Sequence, residues 1–442
     1  MQNKCIDYME ITIEDVDREI IQSIVELIDQ LPALPIVVQR ILQVIEQENT
    51  TTKEIADLIS LDPALSARLL SLVNSAYYSC SVSTIQHAVA LLGFSEVKNL
   101  TIGLKVMETL SAVEFGSLDP DLFWEHSLAC GLCARNLAKH VSQVKPDEAF
   151  LGGLLHDIGK MVFGAYLEDR WNAVQKRAEA EGHSPLVLEN KLIGVAHTTV
   201  GKWLARHWKI PVLHQLAIQY HHALPEEAED LNHQEQKYCA IIYAANILVR
   251  CMNLGSSGYS LLRPVPTQIL ALLVQDDPHV FEESIDKTLC ELTEWKKTLG
   301  IPDKGTALAE VSGPGPDSPH ESPSLLVICP EKNRIPSLQT LLKTLGYRVH
   351  TSCFGEKFLP LLAQDKHQAF VIDLRGMMVD TQKLITSLQS ARSQSTAPIL
   401  LLADNNKLVL SPSLEGQNIH CLQGFQPHRE ALHQWLQTVL PL

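Results

Sequence analysis

The sequence lacks a long apolar segment and has fewer basic than acidic residues. None of its uncharged apolar runs reaches the roughly 18 residues that a membrane-spanning helix needs, so we expect no transmembrane helix. The first ten residues contain no basic region followed by an apolar core, so we expect no secretory signal. Strand-like alternation is nearly absent before residue 324, which favours a helical fold for that part of the chain.

The shortage of basic residues limits the partners of the chain. There are 36 Lys and Arg residues against 51 Asp and Glu residues, a net charge of −15. From Leu325 to the end the chain has 11 basic and 8 acidic residues, so residues 1–324 hold 25 basic and 43 acidic residues, a net charge of −18. Because a region this acidic repels phosphate backbones, we expect no nucleic-acid partner, and we expect no membrane partner either.

Cysteine is spread thinly, with ten residues over the whole length. Most stand in apolar helical segments, including the pair in Cys130-Gly-Leu-Cys133, and a single Cys-x-x-Cys on an amphipathic helix is typical of core cysteine. This usage predicts reduced thiols and a cytoplasmic protein. Hydrophobic residues make up 45% and charged residues 20%, the balance of a globular chain.

The length of 442 residues exceeds the roughly 250–300 residues at which single domains stop growing, so we expect more than one domain. A Pro, Gly and Ser-rich stretch at 301–324 predicts a mobile linker between a helical region at 1–300 and a second domain at 325–442. In the second domain, short apolar runs alternate with helical stretches, which predicts a small doubly wound α/β sheet. Helical periodicity in the first region predicts, among others, single helices at Pro146–Phe163 and Pro185–Trp208.

The sharpest local feature is His156-Asp157, which lies inside the apolar segment Pro146–Phe163. A buried His and Asp are costly unless they are paired or bind a metal, and an imidazole with a carboxylate suits Fe, Mn, Ni or Zn. Gly152, Gly153 and Gly159 would allow another helix to approach closely. Further polar residues open onto apolar helices: His126, His197, His221, His222 and Asn246. We expect these side chains to converge, with the last three histidines on the rim of the pocket.

Several motifs in the same order resemble the HD-related output domain family, HDOD. They are Leu31-Pro-Ala-Leu-Pro, Ile55 to Tyr78 with Asp62-Pro63, Ile85-Gln-His-Ala-Val, Trp124-Glu-His-Ser, Phe150 to Lys160, and His197-Thr-Thr-Val-Gly-Lys. The resemblance covers roughly residues 20–255. It implies an all-α, two-lobed fold related to HD phosphohydrolases, with lobes at about 14–118 and 119–300, in a bacterial signalling protein.

The resemblance also implies roles for single residues. The metal ligands of the HD superfamily are a first His, the His-Asp pair and a late Asp, which His126, His156 and Asp157 match. Asn246 stands where the late Asp aligns. Because Asn is neutral and cannot take a proton, a bound metal fits this site better than efficient hydrolysis.

The related HD-GYP phosphodiesterases add three histidines, which His197, His221 and His222 match. Lys160 matches their lysine that contacts the substrate phosphate, so Lys160 and Asp157 are the candidate catalytic residues. The Gly-Tyr-Pro element is replaced by the acidic segment 223–230, which would repel a dinucleotide. We therefore do not expect hydrolysis of cyclic di-GMP.

The second domain resembles a response-regulator receiver that has lost most of its phosphorylation machinery. Asp373 closes the third apolar run, where receivers carry the phosphorylated Asp. Pro330-Glu331 replaces the acidic pair, Ala403 replaces the hydroxyl residue, and Gly424–Pro427 replaces the Lys-Pro pair. We expect a receiver-like domain that is not switched by phosphoryl transfer.

Two functions stay open at this point. The first is regulation in signal transduction through contacts with signalling proteins or a second copy of the chain, with a divalent transition metal (Fe, Mn, Ni or Zn) at a degenerate HD site. The alternative is a metal-dependent phosphohydrolase. The retained histidines and Lys160 favour the enzyme, whereas Asn246 and the missing Gly-Tyr-Pro element favour the regulatory module.

Overall fold

A computed structural model of the chain describes residues 18–45, 51–74, 82–111, 113, 116–181, 184–252, 254–258, 265–273, 279–302, 323–329, 342, 347–353, 367–374, 388, 397–403 and 419–423. Up to residue 300 these ranges are almost entirely helical, and after residue 323 they contain parallel strands. None of the described helices is both long enough and apolar enough to cross a membrane.

The first region is mostly helical. Its helices within the described ranges are α1 (Arg18–Gln30), α2 (Ile36–Ile45), α3 (Thr52–Ser60), α4 (Pro63–Val73), α5 (Ile85–Leu92), α6 (Phe94–Leu110), α7 (Pro120–Ala138), α8 (Pro146–Leu155), α9 (Ile158–Tyr166), α10 (Glu168–Glu181), α11 (Pro185–Leu192), α12 (His197–His207), α13 (Val212–Tyr220), α14 (His233–Met252), α15 (Thr267–Leu273) and α16 (His279–Leu299). A short 3₁₀ turn, Pro225–Glu227, lies between α13 and α14.

Local sequence signals explain where several helices begin. Thr51 and Glu54 form a reciprocal capping box at the start of α3, which satisfies two backbone N–H groups. The Asp62 side chain accepts from the backbone N–H of Leu65, and Pro63 occupies the first position of α4, where its missing N–H is harmless. Helix α7 is central to the packing, since it contacts α8, α14 and α16.

Two predicted continuous helices are wrong, because each is broken at candidate site residues. Pro146–Phe163 divides into α8 and α9, and Asp157 at the break has φ −102° and ψ 9°, outside the helical range. Pro185–Trp208 divides into α11 and α12 at Gly194, whose φ of 94° lies in the left-handed region that glycine adopts easily. The breaks place Asp157 and His197 at helix ends, where their side chains can meet.

Glycines allow the helices around this region to approach closely, as the sequence predicts. A Cβ atom at Gly153 would lie 2.6 Å from the carbonyl oxygen of Cys130, so no side chain fits between α8 and α7. At Gly159, a Cβ atom would overlap the carbonyl oxygen of His197, so α9 packs directly against the start of α12. The contact between α9 and α12 therefore fixes the distance between Asp157 and His197.

The C-terminal region contains a parallel five-stranded sheet. Its strands are β1 (Ser324–Cys329), β2 (Arg348–Cys353), β3 (Ala369–Asp373), β4 (Ile399–Ala403) and β5 (Ile419–Gln423), in the order β2-β1-β3-β4-β5. Adjacent strands are all parallel, which is consistent with an α/β domain. The strand order is one that doubly wound sheets adopt. Asp373 is fully buried at the carboxyl end of β3.

The strand predictions agree with the sheet to within one residue at either end. The sequence also predicts helical stretches of this domain at 335–345, 357–364 and 381–391, between the strands, and at 429–440, after the last strand. These stretches fall almost wholly outside the described residues, as does nearly all of the linker. The receiver-like assignment of this domain therefore stays a prediction.

We expect Gly159→Ala to destabilise the protein by about 1–3 kcal/mol, because the added methyl group meets backbone atoms that cannot move separately. Urea unfolding of the two proteins measures the difference. The control is Gly103→Ala, whose added methyl group meets the flexible ends of the Leu154 and Leu151 side chains and no backbone atom. Equal losses in both variants would contradict the role of the α9–α12 contact.

Candidate metal centre

Asp157 is the central residue of the site. Its side chain is fully buried between α8 and α9. Lys160 Nζ donates a hydrogen bond of 2.6 Å to its Oδ2 atom. The Nε2 atoms of His156 and His126 lie 3.2 Å and 3.8 Å from the same oxygen. The carboxylate therefore has one cation bound to Oδ2 and two imidazoles around it.

The other carboxylate oxygen of Asp157 faces two further imidazoles. The Nε2 atoms of His197 and His221 each lie 3.3 Å from Asp157 Oδ1, and they lie 3.3 Å from one another. Both side chains are fully buried. Among the described residues, Asp157 Oδ1 has no hydrogen-bond partner of acceptable geometry. The two imidazole nitrogens can hydrogen-bond to one another, in a direction set by which ring carries the proton, whereas Asp157 Oδ1 lies beside both without a well-formed hydrogen bond.

Hydrogen bonds at the opposite ring nitrogens set the direction of these imidazoles. Nδ1 of His156 lies 2.7 Å from the carbonyl oxygen of Gly153, and Nδ1 of His221 lies 2.9 Å from that of Ile218. A ring nitrogen facing a carbonyl oxygen must carry the proton. The Nε2 atoms of neutral rings held this way are bare acceptors, and they face the carboxylate.

Glu189 holds His197 in the same way, and sequence reasoning missed it. Its carboxylate oxygens lie 2.7 Å and 2.8 Å from His197 Nδ1, and Oε2 also accepts the backbone N–H of His197 at 2.8 Å. The buried Glu189 side chain therefore caps α12 and orients the imidazole, an arrangement found behind metal-binding histidines. Gly194, which allows the chain to turn between α11 and α12, is the signal that could have revealed it.

A second cation, Arg250, was also missed. Its Nε atom donates to Asn246 Oδ1 at 2.8 Å, and its Nη2 atom lies 3.9 Å from Asp157 Oδ2. Ser257 Oγ accepts from both Lys160 and Arg250, at 3.2 Å and 3.3 Å. Asn246 thus accepts a hydrogen bond from a cation, and Arg250, one turn further along α14, reaches the centre.

Burial keeps several imidazoles neutral. It lowers the pKa of His221 to about 3, against the raising effect of the nearby Asp157 carboxylate. Burial, joined by the neighbouring imidazoles of His221 and His197, holds the pKa of His222 well below its usual range. Burial and Arg250 do the same for His126. Neutral imidazoles are the form that binds metal ions.

The charged groups respond differently. Burial alone would raise the pKa of Asp157, but His156 and Lys160 hold it well below its ordinary value, so the carboxylate is ionised. Burial lowers the pKa of Lys160 to about 8, although Asp157 opposes the change. Burial also opposes protonation of His197, but the Glu189 carboxylate outweighs it and raises the His197 pKa.

The potential ligands fall into two clusters. The first cluster is Asp157, His197, His221 and His222, and the second cluster is His126, Cys130 and His156. Within each cluster, the possible ligand atoms lie within 4.8 Å of one another. The second cluster includes Cys130, which the sequence analysis treats as a core cysteine and which is indeed buried.

A pocket of about 500 Å³ adjoins the first cluster. His221, His222, Asn246 and Arg250 line its inner side, and Glu227 lies on its wall. His222 is partly exposed, whereas its Nε2 atom is buried and has no hydrogen-bond partner among the described residues. The pocket therefore leads a solute to the cluster at His222 and Arg250.

The predicted residues come together, but not with the predicted division into centre and rim. His126, His156, Asp157, His197 and His221 are all buried in one contiguous group. Of the predicted rim residues, His221 and His222 line the pocket and His197 does not, whereas Asn246, expected at the centre, lines the pocket as well. His221 belongs both to the buried group and to the pocket wall, because α13 ends there.

Residues 31–224 of the chain match the HDOD domain family. The match includes every member of the two clusters and ends before α14, which carries Asn246 and Arg250. It confirms the resemblance stated from the motifs for this part of the chain.

Individual proteins are similar over a larger part. An uncharacterized protein of Treponema pallidum (strain Nichols) is 28% identical over 265 residues, which cover 59% of this chain and 49% of that protein. The chain thus spans about half the length of this curated relative. A crystal structure from Shewanella amazonensis SB2B, provisionally named a phosphohydrolase, is 26% identical with a TM-score of 0.50 and covers 63% of this chain and 98% of that one.

A further crystal structure, from Marinobacter aquaeolei VT8 and provisionally named a signal transduction protein, has a TM-score of 0.52 at 22% identity. The matched region covers 65% of this chain and 67% of the Marinobacter chain. At this identity the likeness shows the fold alone. Both structures support the helical architecture described above.

We expect Glu189→Gln to lower the pKa of His197, because the carboxylate that raises it is removed. We also expect a loss of about 1–3 kcal/mol in unfolding free energy, since a buried hydrogen-bonding group loses its match. Imidazole titration by NMR and urea unfolding give the two values. Asp169→Asn on the exposed side of α10 is the control. An unchanged His197 pKa would contradict the assigned role of Glu189.

Proposed function

We propose that the helical region binds a divalent transition metal at Asp157, His197, His221 and His222, and that a phosphate-bearing ligand occupies the adjoining pocket. Metal and ligand together would control a signalling output through protein contacts. The observation that carries the proposal is the approach of the His197 and His221 Nε2 atoms to Asp157 Oδ1 at 3.3 Å.

These atoms call for a cation between them. The His221 ring is neutral and its proton lies on the Nδ1 side, so its bare Nε2 atom faces a carboxylate oxygen. Two acceptors at this distance repel unless a positive group separates them. A proton on His197 could satisfy one of these contacts, but it leaves His222 Nε2 without a hydrogen-bond partner among the described residues. A metal ion relieves all of them.

The type of donor favours a transition metal. Three imidazole nitrogens and one carboxylate oxygen suit Fe, Mn, Ni or Zn, whereas Ca and Mg prefer several oxygen ligands. Glu189 behind His197, and the Ile218 carbonyl behind His221, supply the outer hydrogen bonds that usually support metal-binding histidines. The arrangement therefore has both ligands and supporting groups.

Charge favours an anionic ligand in the pocket. Without a metal, the formal charges of Asp157 and Glu189 balance those of Lys160 and Arg250. A divalent ion adds two positive charges to this nearly buried group, and an anion entering the pocket beside Arg250 would offset them. A phosphate group has the charge for this and matches the planar donors of arginine.

A signalling output is the third part of the proposal. It rests on the HDOD match over 31–224 and on a second, sheet-containing region joined by a Pro, Gly and Ser-rich segment. We propose other signalling proteins or a second copy of the chain as partners, and a cytoplasmic setting. The buried free thiols of Cys130, Cys133, Cys239 and Cys251 fit that setting.

Metal analysis of the purified chain tests the first part. We expect at least one transition-metal ion per chain, its removal by a chelator, and its return with Mn, Fe, Ni or Zn but not with Mg or Ca. His222→Ala should weaken this binding by tenfold or more, because a ligand is lost. His207→Ala, near the exposed end of α12, should not. Equal affinity in both variants, or binding of Mg or Ca alone, would contradict the proposal.

Hydrolysis of a phosphoester is the second candidate function, favoured by the pocket that brings a solute to His222 and Arg250. A divalent ion here would polarise a phosphoryl oxygen and lower the pKa of a nearby water. Against turnover, Asn246 is neutral, and Lys160 is held by Asp157. Glu226 and Glu227 beside the pocket continue to argue against a cyclic dinucleotide.

Inorganic phosphate and a chromogenic phosphate monoester distinguish binding from turnover in the metal-loaded protein. We expect phosphate to bind, and Arg250→Met to weaken that binding by about tenfold while the metal is retained, because one charge-assisted contact is lost. Arg250→Lys should restore part of it. Metal-dependent turnover that Arg250→Met abolishes would favour hydrolysis, and unchanged phosphate affinity in Arg250→Met would exclude the proposed anion position.

A further inference from the structure

The second cluster brings together a thiol and two imidazoles that the proposed metal position does not use. Cys130 Sγ lies 3.6 Å from His126 Nε2, and the ligand atoms of His126, Cys130 and His156 lie within 4.8 Å of one another. All three side chains are buried, with exposed fractions of 0–1%. The cluster therefore has the size and composition of a metal position with mixed nitrogen and sulfur ligands.

The positions of these three side chains are fixed by helices α7 and α8. His126 and Cys130 are one turn apart on α7, so they share a face of that helix. His156 follows the last residue of α8, which crosses α7 closely at Gly153. The bond from His156 Nδ1 to the Gly153 carbonyl then turns its Nε2 atom toward α7.

An ordinary core-cysteine interpretation leaves one atom unexplained. A Cys130 S–H group can donate to His126 Nε2, which would satisfy that pair. His156 Nε2 stays buried and has no hydrogen-bond partner within the described ranges. Its nearest acidic neighbour, Asp157 Oδ2, already accepts from Lys160 at 2.6 Å. A metal ion bound by His156 Nε2 would give this buried nitrogen a partner.

We propose that Cys130, as a thiolate, ligates a second divalent metal ion together with His126 and His156. The inference is separate from the first position, although it extends the proposed function of the same centre. A metal ion releases the thiol proton on binding, so the Cys130–metal bond forms as the S–H bond breaks and the proton leaves to solvent. The thiolate adds a negative charge where Lys160 and Arg250 already stand.

The choice of metal follows from the sulfur. Thiolate with imidazole favours Zn, Co or Fe over Mg, Ca or Mn. Asn246, a neutral residue where HD enzymes carry a ligand carboxylate, removes a negative charge from this side of the centre, and Cys130 offers one in its place. The proposal therefore assigns a chemical role to a residue that spacing alone describes as core.

Cobalt loading of the full chain tests the proposal, because a thiolate–Co(II) bond gives a near-ultraviolet charge-transfer absorption that imidazole and carboxylate ligands do not. We expect two Co(II) ions per chain and this absorption in the unchanged protein. Cys130→Ser should bind one Co(II) without the absorption. Cys133→Ser, the matched control three residues further along α7, should keep both ions and the absorption. His222→Ala should weaken the first position and keep the absorption.

X-ray absorption of the zinc-loaded, unchanged protein keeps the test independent of how the variants fold. One sulfur neighbour at about 2.3 Å would support the proposal. One cobalt ion per chain without charge-transfer absorption would overturn it and leave the first metal position standing. Absence of any bound transition metal would overturn both. Charge-transfer absorption that persists in Cys130→Ser would exclude Cys130 as the ligand.

Discussion

The buried carboxylate of Asp157 is the constraint on which the rest of the site depends. A single ionised carboxylate without solvent is very costly, so the surrounding structure must supply positive charge and donors. Lys160 provides one contact at 2.6 Å, and Arg250 stands at 3.9 Å. These cations account for Oδ2 only. The other oxygen, Oδ1, faces the Nε2 atoms of His197 and His221 and has no well-formed hydrogen bond among the described residues. This oxygen is therefore the one at which a metal ion would bind.

Helix breaks and close helix contacts make this arrangement possible. In a continuous helix, Asp157 would follow the direction set by α8, and His197 would lie inside a longer helix rather than at the start of α12. The break at Gly194 also returns Glu189 to His197, so that one carboxylate caps the helix and orients the ring. The helix ends therefore determine the geometry of the site, because the residues at which helices begin or end also carry or position the possible ligands.

Much of this could be predicted from the sequence, and the failures have physical causes. Helical periodicity locates most helices, since each buries one apolar stripe, and apolar runs locate the five strands. Helical periodicity does not predict the breaks at Asp157 and Gly194, because the apolar pattern of both segments continues across them. Glu189 and Arg250 escape it because isolated charged residues on helices are usually solvated, and only the tertiary fold shows that these two approach the histidines.

The neutral side chain of Asn246, which the sequence resemblance aligns with a ligand carboxylate, has consequences beyond the ligand that this alignment implies is lost. In its place, the Asn246 oxygen holds Arg250, so this side of the centre presents a cation instead of an anion. A cation beside a metal repels a second divalent ion but attracts an anionic ligand, and it cannot accept a proton from water. The same exchange thus weakens the case for hydrolysis and strengthens the case for holding phosphate. It also makes the Cys130 thiolate the remaining source of negative charge for a second ion, because Asp157 already neutralises Lys160.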